Sequence, residues 1–473
     1  MRLKKFLFIV VFGLASLFLL SACGQDKPPA PALKSPIGPV PAEPQRPGDP
    51  AAGYTALVNN AYVTCGLPYK AYQQRAESAS TPSRPIPGRK GRNTELPYNL
   101  TAHTNEDGVE LVTSNCLGCH AGFFNDELII GLGNESLDFT NDPMLAAESA
   151  GAYVTGEAEA AAWRKWADRI AAMAPYMITD TVGVNPANNL TVALLAHRDP
   201  QTLAWSQEPL LAPPPTQPLP VSVPPWWRMQ KKHAMFYNTE GRGDHARFMM
   251  LISIVCTDTI EEARSIDAYF PDIRAFIASL EPPAYPFAIT KFLAEQGQGV
   301  FETHCSRCHG TYGKEWTYPN LVIGLEEIGT DPELALKATQ EADRFLRWYN
   351  NSFFGEISYA APAPGYIAPP LDGVWATAPY LHNGSIPSIE TLLDSTKRPR
   401  YWKRSFDSTD YDKKALGWNY TTLTYGKKGA ANPEERKRIY DTTLLGYSNQ
   451  GHKFGDILSD TERAAVLEYL KTL

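Results

Sequence analysis

Apolar positions in this chain recur mostly at helical spacing, in blocks separated by long stretches with no period. The first block, residues 6–20, is a continuous apolar run behind the basic residues Arg2, Lys4 and Lys5. It is too short for a comfortable membrane span and has the layout of an export signal. Residues 24–50 are rich in Pro, Ala and charge, which predicts a disordered tether. Pro82, Pro85, Pro87 and Gly88 predict a loop over 80–91. Ala162, Trp166, Ile170 and Met173 predict an amphipathic helix over 158–173, and a second helix follows at 188–197. The proline cluster at 211–225 reads as an extended connector. A helix with an apolar centre is predicted over 241–256. The next covers 259–280, opened by Thr259 and Glu262 in capping-box spacing and ended by Pro282 and Pro283. The pattern then restarts with a helix over about 289–305. It closes with another that begins at Ser459 and Glu462 and carries Val466, Leu467 and Leu470 on one face. Strict alternation is scarce.

Two places in this pattern carry chemistry. Cys116-Leu117-Gly118-Cys119-His120 and Cys305-Ser306-Arg307-Cys308-His309 are CxxCH motifs. In this arrangement two thiols add across the vinyl groups of a haem, and the adjacent histidine becomes an iron ligand. Two full copies in a chain with seven cysteines predict two covalently bound c-type haems, with His120 and His309 on iron. The second copy ends a helix, and a terminal helix follows much later, the core pair of a small cytochrome c. The expected fold is therefore mainly α: two cytochrome c-like haem modules with long loops and little β. The expected divisions are a lipoprotein signal peptide (1–22), a disordered Pro-rich tether (23–50), a first haem domain (51–283) and a second cytochrome c domain (284–473).

The 473-residue length allows such a division, and 40 prolines fit the long loops. A formal net charge of −7 gives no sign of nucleic-acid binding. Leu20-Ser21-Ala22-Cys23 resembles a bacterial lipobox, which makes Cys23 the site of lipid attachment. The expected address is the bacterial cell envelope, in the outer membrane facing the periplasm or exterior, with the lipid as anchor. Cys65 and Cys256 are left over, and in an oxidising compartment they are expected to pair.

The sixth iron ligand separates electron carriers from haems that bind dioxygen or peroxide. After Met250 the chain contains no methionine, so the second haem has only His382 and His452 as plausible ligands from its own domain. His452 is preferred, because the glycines of 446–452 let that loop fold against a porphyrin. His382 is assigned to the propionate side. For the first haem Met144, Met173, Met177, His103, His197, His233 and His245 are candidates, and none stands out. That leaves its sixth position open.

The run PPLDGVWATAPYLHNGS at 369–385 resembles the signature of bacterial dihaem cytochromes c, including the dihaem peroxidases. Pro225-Trp226-Trp227, the segment 241–247 (GRGDHAR) and the loop 448–452 (SNQGH) look most like the dihaem rubber oxygenases. The resemblance spans about residue 90 to the C-terminus. It implies an open distal side at the haem of His120 and a bis-His haem held by His309 and His452. It also implies an aromatic coupler between the haems at Trp227 or Trp226, and a phenylalanine over the open haem at Phe236 or Phe248. What it transfers is haem architecture, not a polymer substrate.

Two readings follow. In the first the chain is a haem oxidoreductase, oxygenase- or peroxidase-like, exchanging electrons with a periplasmic or external partner. In the second both haems are six-coordinate and the protein only carries electrons.

Overall fold

The first CxxCH motif grows out of β structure. The computed structural model describes residues 37–79 and 85–473. Within them strand Glu110–Ser114 runs antiparallel between Leu100–Thr104 and Leu67–Pro68, and it delivers the chain to Cys116. A single helical turn, Leu117–His120, holds the motif. It passes directly into a hairpin of Ala121–Phe124 with Glu127–Ile130. Asn125 and Asp126 turn that hairpin at φ 51° and 63°, the left-handed pair a two-residue loop requires and Asn and Asp tolerate. The expectation of a mainly α fold with two cytochrome modules and little β is thus corrected. The fold is mixed, 41% helix and 13% strand, with six small antiparallel sheets among the described residues. Short strands of two to five residues leave almost no period-two signature, and the periodicity missed them for that reason.

The second motif has the architecture its pattern predicted. Helix Lys291–His304 ends at Cys305, and helix Asp460–Leu470 crosses it. Ser459 and Glu462 close a reciprocal capping box. The crossing is tight because Gly297 lies against the other helix's backbone: a β-carbon there would sit 1.9 Å from the carbonyl oxygen of Ala465. Gly297→Ala must push the helices apart, at a cost of about 1–3 kcal/mol. Urea denaturation would register this as a lowered midpoint at unchanged m value, and a shift below about 0.5 kcal/mol would contradict so close an approach.

Other helices differ from the pattern for local reasons. The segment predicted as one helix over 241–256 is strand Gly241–Gly243, helix His245–Met249 capped by Asp244, and a 3-10 stretch Met250–Val255. Pro271 divides 259–280 into Ile260–Asp267 and Phe270–Ser279. Thr259 caps the first of these, but Glu262 turns instead to Thr64 and the amide of Asp258. The helices at Glu157–Met177 and Ala187–Ala196 follow the prediction closely. Cys65 and Cys256 form a disulfide, their Cα atoms 5.3 Å apart.

No domain boundary lies at residue 283, since residues 32–473 cluster as one compact unit. Phe345, Leu346, Trp348 and Tyr349 of helix Asp343–Asn350 complete the core built by residues 56–277. In return Phe124, Leu132 and Trp227 enter the core around the second motif. The predicted tether needs the same correction from residue 38 onward. Gly38–Pro39 pair with Leu321–Gly324, Val40 is buried, and Glu43 accepts from Gly243 N and Tyr359. Arg46 bridges Asp244 and Asp267. Charged residues that suggested a solvated chain are here spent on ion pairs. The predicted signal peptide, lipid-bearing Cys23 and the first part of the tether lie outside the described residues.

Candidate haem sites

Cys116, Cys119 and His120 are half-buried, yet protein surrounds them closely enough for burial to raise both thiols and depress His120 to about 4. The His120 ring stacks on Trp226, with centroids 4.8 Å apart, and its buried Nδ1 has no hydrogen-bond partner among the described residues. His309 differs: its Nδ1 lies 2.8 Å from the Pro369 carbonyl, and burial lowers its pKa. Such a bond fixes the tautomer and leaves Nε2 for a metal.

His452 stands across from His309 with ring centroids 6.2 Å apart. Two metal–nitrogen bonds of about 2 Å, plus roughly an ångström from nitrogen to centroid on each side, require about 6 Å. The gap therefore fits one iron with an imidazole on each face. Burial holds His452 at about 3, in the neutral form that ligates. Its loop is clamped by Arg398, which donates to the carbonyls of Asn449, Gly451 and His452. Gly451 lies so close to Gly329 that a β-carbon would fall 2.1 Å from its backbone, and His452 itself has φ 46°. A cleft of about 440 Å³, lined by Ile328, Gly329, His452 and Phe454 among others, opens beside it.

His382 belongs to a different contact set. It stacks on Tyr366 at 4.1 Å and meets Tyr237 edge-on at 6.2 Å, and burial lowers it to about 3. Its neighbour Asn383 donates to the carbonyls of Gly446 and Ser448, so the 369–385 run supports the His452 loop from behind.

For His120 the structure supplies no such counterpart ring among the described residues. His103, His197 and His233 are held by the carbonyls of Thr64, Ser206 and Val40. Met173 is packed in the core, while Met144 and Met177 are half-buried on their helices. His245 is buried with Nε2 unpartnered. The geometry does separate the two phenylalanines. Phe248 is 5% exposed and stacks on Tyr349, whereas Phe236 is 40% exposed, meets Phe248 edge-on and has φ 66°. A bulky residue in the left-handed region is strained, and Phe236 combines that backbone with a ring on the exposed side of the pair.

Between the motifs lies a contact network that sequence reasoning did not find. Trp227 is 1% exposed, and its Nε1 donates to the Asp372 carbonyl at 2.8 Å. Arg228 Nε donates to the same oxygen, and Lys231 pairs with the Asp372 carboxylate at 2.6 Å. Among the described residues that leaves Arg228 without a carboxylate of its own, its guanidinium donating to the Asp372 carbonyl and the Thr377 hydroxyl. Lys232, depressed to about 8 by burial and then by Arg228, makes no ion pair among the described residues. Enclosed cations need a counter-charge, and the propionates of a haem supply one. Unpaired cations, paired thiols and the imidazole spacing together fit a covalently held haem. Sequence could have flagged Arg228 and Lys232 only as a basic cluster after two tryptophans.

Comparison with known proteins adds two uncharacterized proteins of Sinorhizobium fredii. One, y4iJ, is 30% identical over 292 residues, covering 47% of this chain and 47% of that protein. The other, y4iM, is 28% identical over 243 residues, covering 42% and 53%. The chain spans about half the length of the curated relatives it matches. Residues 365–403, the stretch that carries His382 and buttresses the His452 loop, match the family described as RoxA-like, cytochrome c-like.

Proposed function

We propose that this chain is an exported, lipid-anchored dihaem c-type cytochrome acting as an oxidoreductase. In this reading the haem of Cys116, Cys119 and His120 is open to dioxygen or peroxide. The haem of Cys305, Cys308 and His309, closed by His452, stores and passes electrons. The observation that supports it best is the asymmetry of the two sites: His309 faces an imidazole across an iron-sized gap, and among the described residues His120 does not. Haem supplies the redox chemistry and the binding of dioxygen or peroxide.

The remaining functions fall to the chain. Trp226 steadies the His120 ring by stacking. Trp227 joins the proximal sides: its indole donates to the Asp372 carbonyl, three residues after the Pro369 carbonyl that holds His309. Arg228 and Lys232 neutralise propionates. Phe236, turned outward against Phe248, gives the open side an apolar wall suited to an apolar substrate. The partner is an envelope electron donor or acceptor.

EPR of the oxidised protein tests this. One high-spin and one low-spin haem are expected, with cyanide perturbing only the first. Two low-spin haems indifferent to cyanide and peroxide would establish the electron-carrier reading. One observation favours that alternative: the unpartnered Nε2 of His245. His245→Ala therefore belongs in the same experiment, and conversion of a low-spin first haem to high spin would identify His245 as its ligand.

A further inference from the structure

We propose that Asn185 tunes the first haem: its side-chain amide donates to the sulfur of Cys119, so that this haem is reduced more readily than the second. This rests on the reading that each CxxCH motif carries a haem, and not on which of the two reacts with dioxygen or peroxide.

Asn185 is 7% exposed and lies just ahead of helix Ala187–Ala196. Its backbone N–H donates to the Val221 carbonyl at 3.0 Å, and its Oδ1 accepts from the Ala187 amide at 2.8 Å. The second bond decides which way the amide faces, because a flipped group would set its NH2 against the Ala187 N–H. Nδ2 is thereby turned to Cys119 Sγ, 3.5 Å away. In the haem-bearing protein that sulfur is a thioether joined to the porphyrin edge. A thioether has lone pairs and no proton, so Asn185 donates to it and takes nothing back. The positive end of a buried dipole at the porphyrin edge stabilises the state that holds the extra electron, and enclosure strengthens the effect. Hydrogen bonding around the bound group is one of the means by which a protein sets a haem's potential.

The second motif has no such donor: among the described residues no side chain hydrogen-bonds the sulfur of Cys305 or Cys308. The adjacent histidines differ in the same sense. His309 Nδ1 donates to the Pro369 carbonyl, which raises the basicity of the ligand and favours oxidised iron. His120 Nδ1 has no acceptor among the described residues. Both differences make the first haem the easier to reduce, so a single electron shared by the pair rests there. What Asn185 biases is a one-electron reduction of iron, in which no proton moves and no bond is made or broken.

A purely structural Asn185 would only hold the Ala187 amide, and two substitutions separate that task from donation. Asn185→Ser keeps a hydroxyl for Ala187 but is too short to reach the sulfur, whereas Asn185→Leu loses both contacts. The test is a redox titration of the dihaem protein followed by EPR, the second haem being the one whose signal His452→Ala alters. It is run at about pH 6, because Glu135, raised by burial to about 7, is then mostly protonated and its charge does not act on Cys119. In the wild type the first haem should be reduced first. Both variants should make it harder to reduce by about threefold, a shift of about 28 mV at 59 mV per tenfold, with the second haem unchanged. Only Asn185→Leu should lower the urea midpoint. An unmoved first potential in Asn185→Ser, a shift confined to the destabilised Asn185→Leu, equal shifts of both haems, or a second haem that is reduced first would each overturn the tuning alone. Fewer than two haems per chain, counted as pyridine haemochromes after denaturation, would overturn the parent reading, and the tuning with it.

Discussion

Replacing His452 by alanine should convert one low-spin haem completely to high spin, and added imidazole should restore it, whereas His382→Ala should leave the low-spin haem as it was. The expectation follows from the 6.2 Å between His309 and His452. Removing one ring leaves a space the size of an imidazole opposite iron, and no methionine after Met250 can fill it. Arg398 holds the surrounding carbonyls with or without the side chain, so the loop should stay in place and the vacated site should accept free imidazole. His382 makes its ring contacts with Tyr366 and Tyr237. Its loss costs about 1 kcal/mol of stacking and leaves the iron untouched. UV–visible and EPR spectra of the two variants decide the matter, and a high-spin haem in His382→Ala with an unchanged His452→Ala would reverse the assignment.

Sequence disclosed the chemistry of these sites far better than their surroundings. CxxCH is legible because two thiols and an imidazole must lie within one helical turn, so their geometry is encoded locally. Methionine's absence narrowed the candidates opposite His309 to His382 and His452, and the glycines of 446–452 favoured the second. The helix pair at Lys291–His304 and Asp460–Leu470 was also readable, since each helix shows its apolar face over several turns. What escaped was everything held by distant partners. The strands around the first motif are too short to show a period. The strap at 38–46 looks disordered until Asp244 and Asp267, some two hundred residues away, take up Arg46. The exchange of aromatic residues across position 283 depends on pairs such as Trp348 and the Arg198 carbonyl, 150 residues apart. Lys232 and Arg228 could not be recognised as buried cations before burial itself was known.

Trp227→Phe should slow electron transfer between the haems by about tenfold or more, equivalent to about 1.4 kcal/mol on the barrier, with both haem spectra intact. Two effects of the substitution can be separated. Loss of indole volume from a site only 1% exposed, together with loss of the hydrogen bond to Asp372, costs about 2–3 kcal/mol of stability. The Asp372 carbonyl is not orphaned, because Arg228 Nε still reaches it at 3.2 Å, and this keeps the cost from rising further. Breaking the indole-to-carbonyl contact, however, removes the aromatic link from the chain beside His120 to the segment carrying the Pro369 carbonyl, and the Arg228 and Lys231 contacts to Asp372 that remain are made by saturated side chains. Trp226→Phe is the matched control: it retains an aromatic face for His120 to stack on and leaves the Asp372 contact in place, so transfer should change little. Flash photolysis or pulse radiolysis on the half-reduced protein would read both rates. Equal slowing in the two variants would mean that stacking on His120, not the bridge through Asp372, governs the coupling.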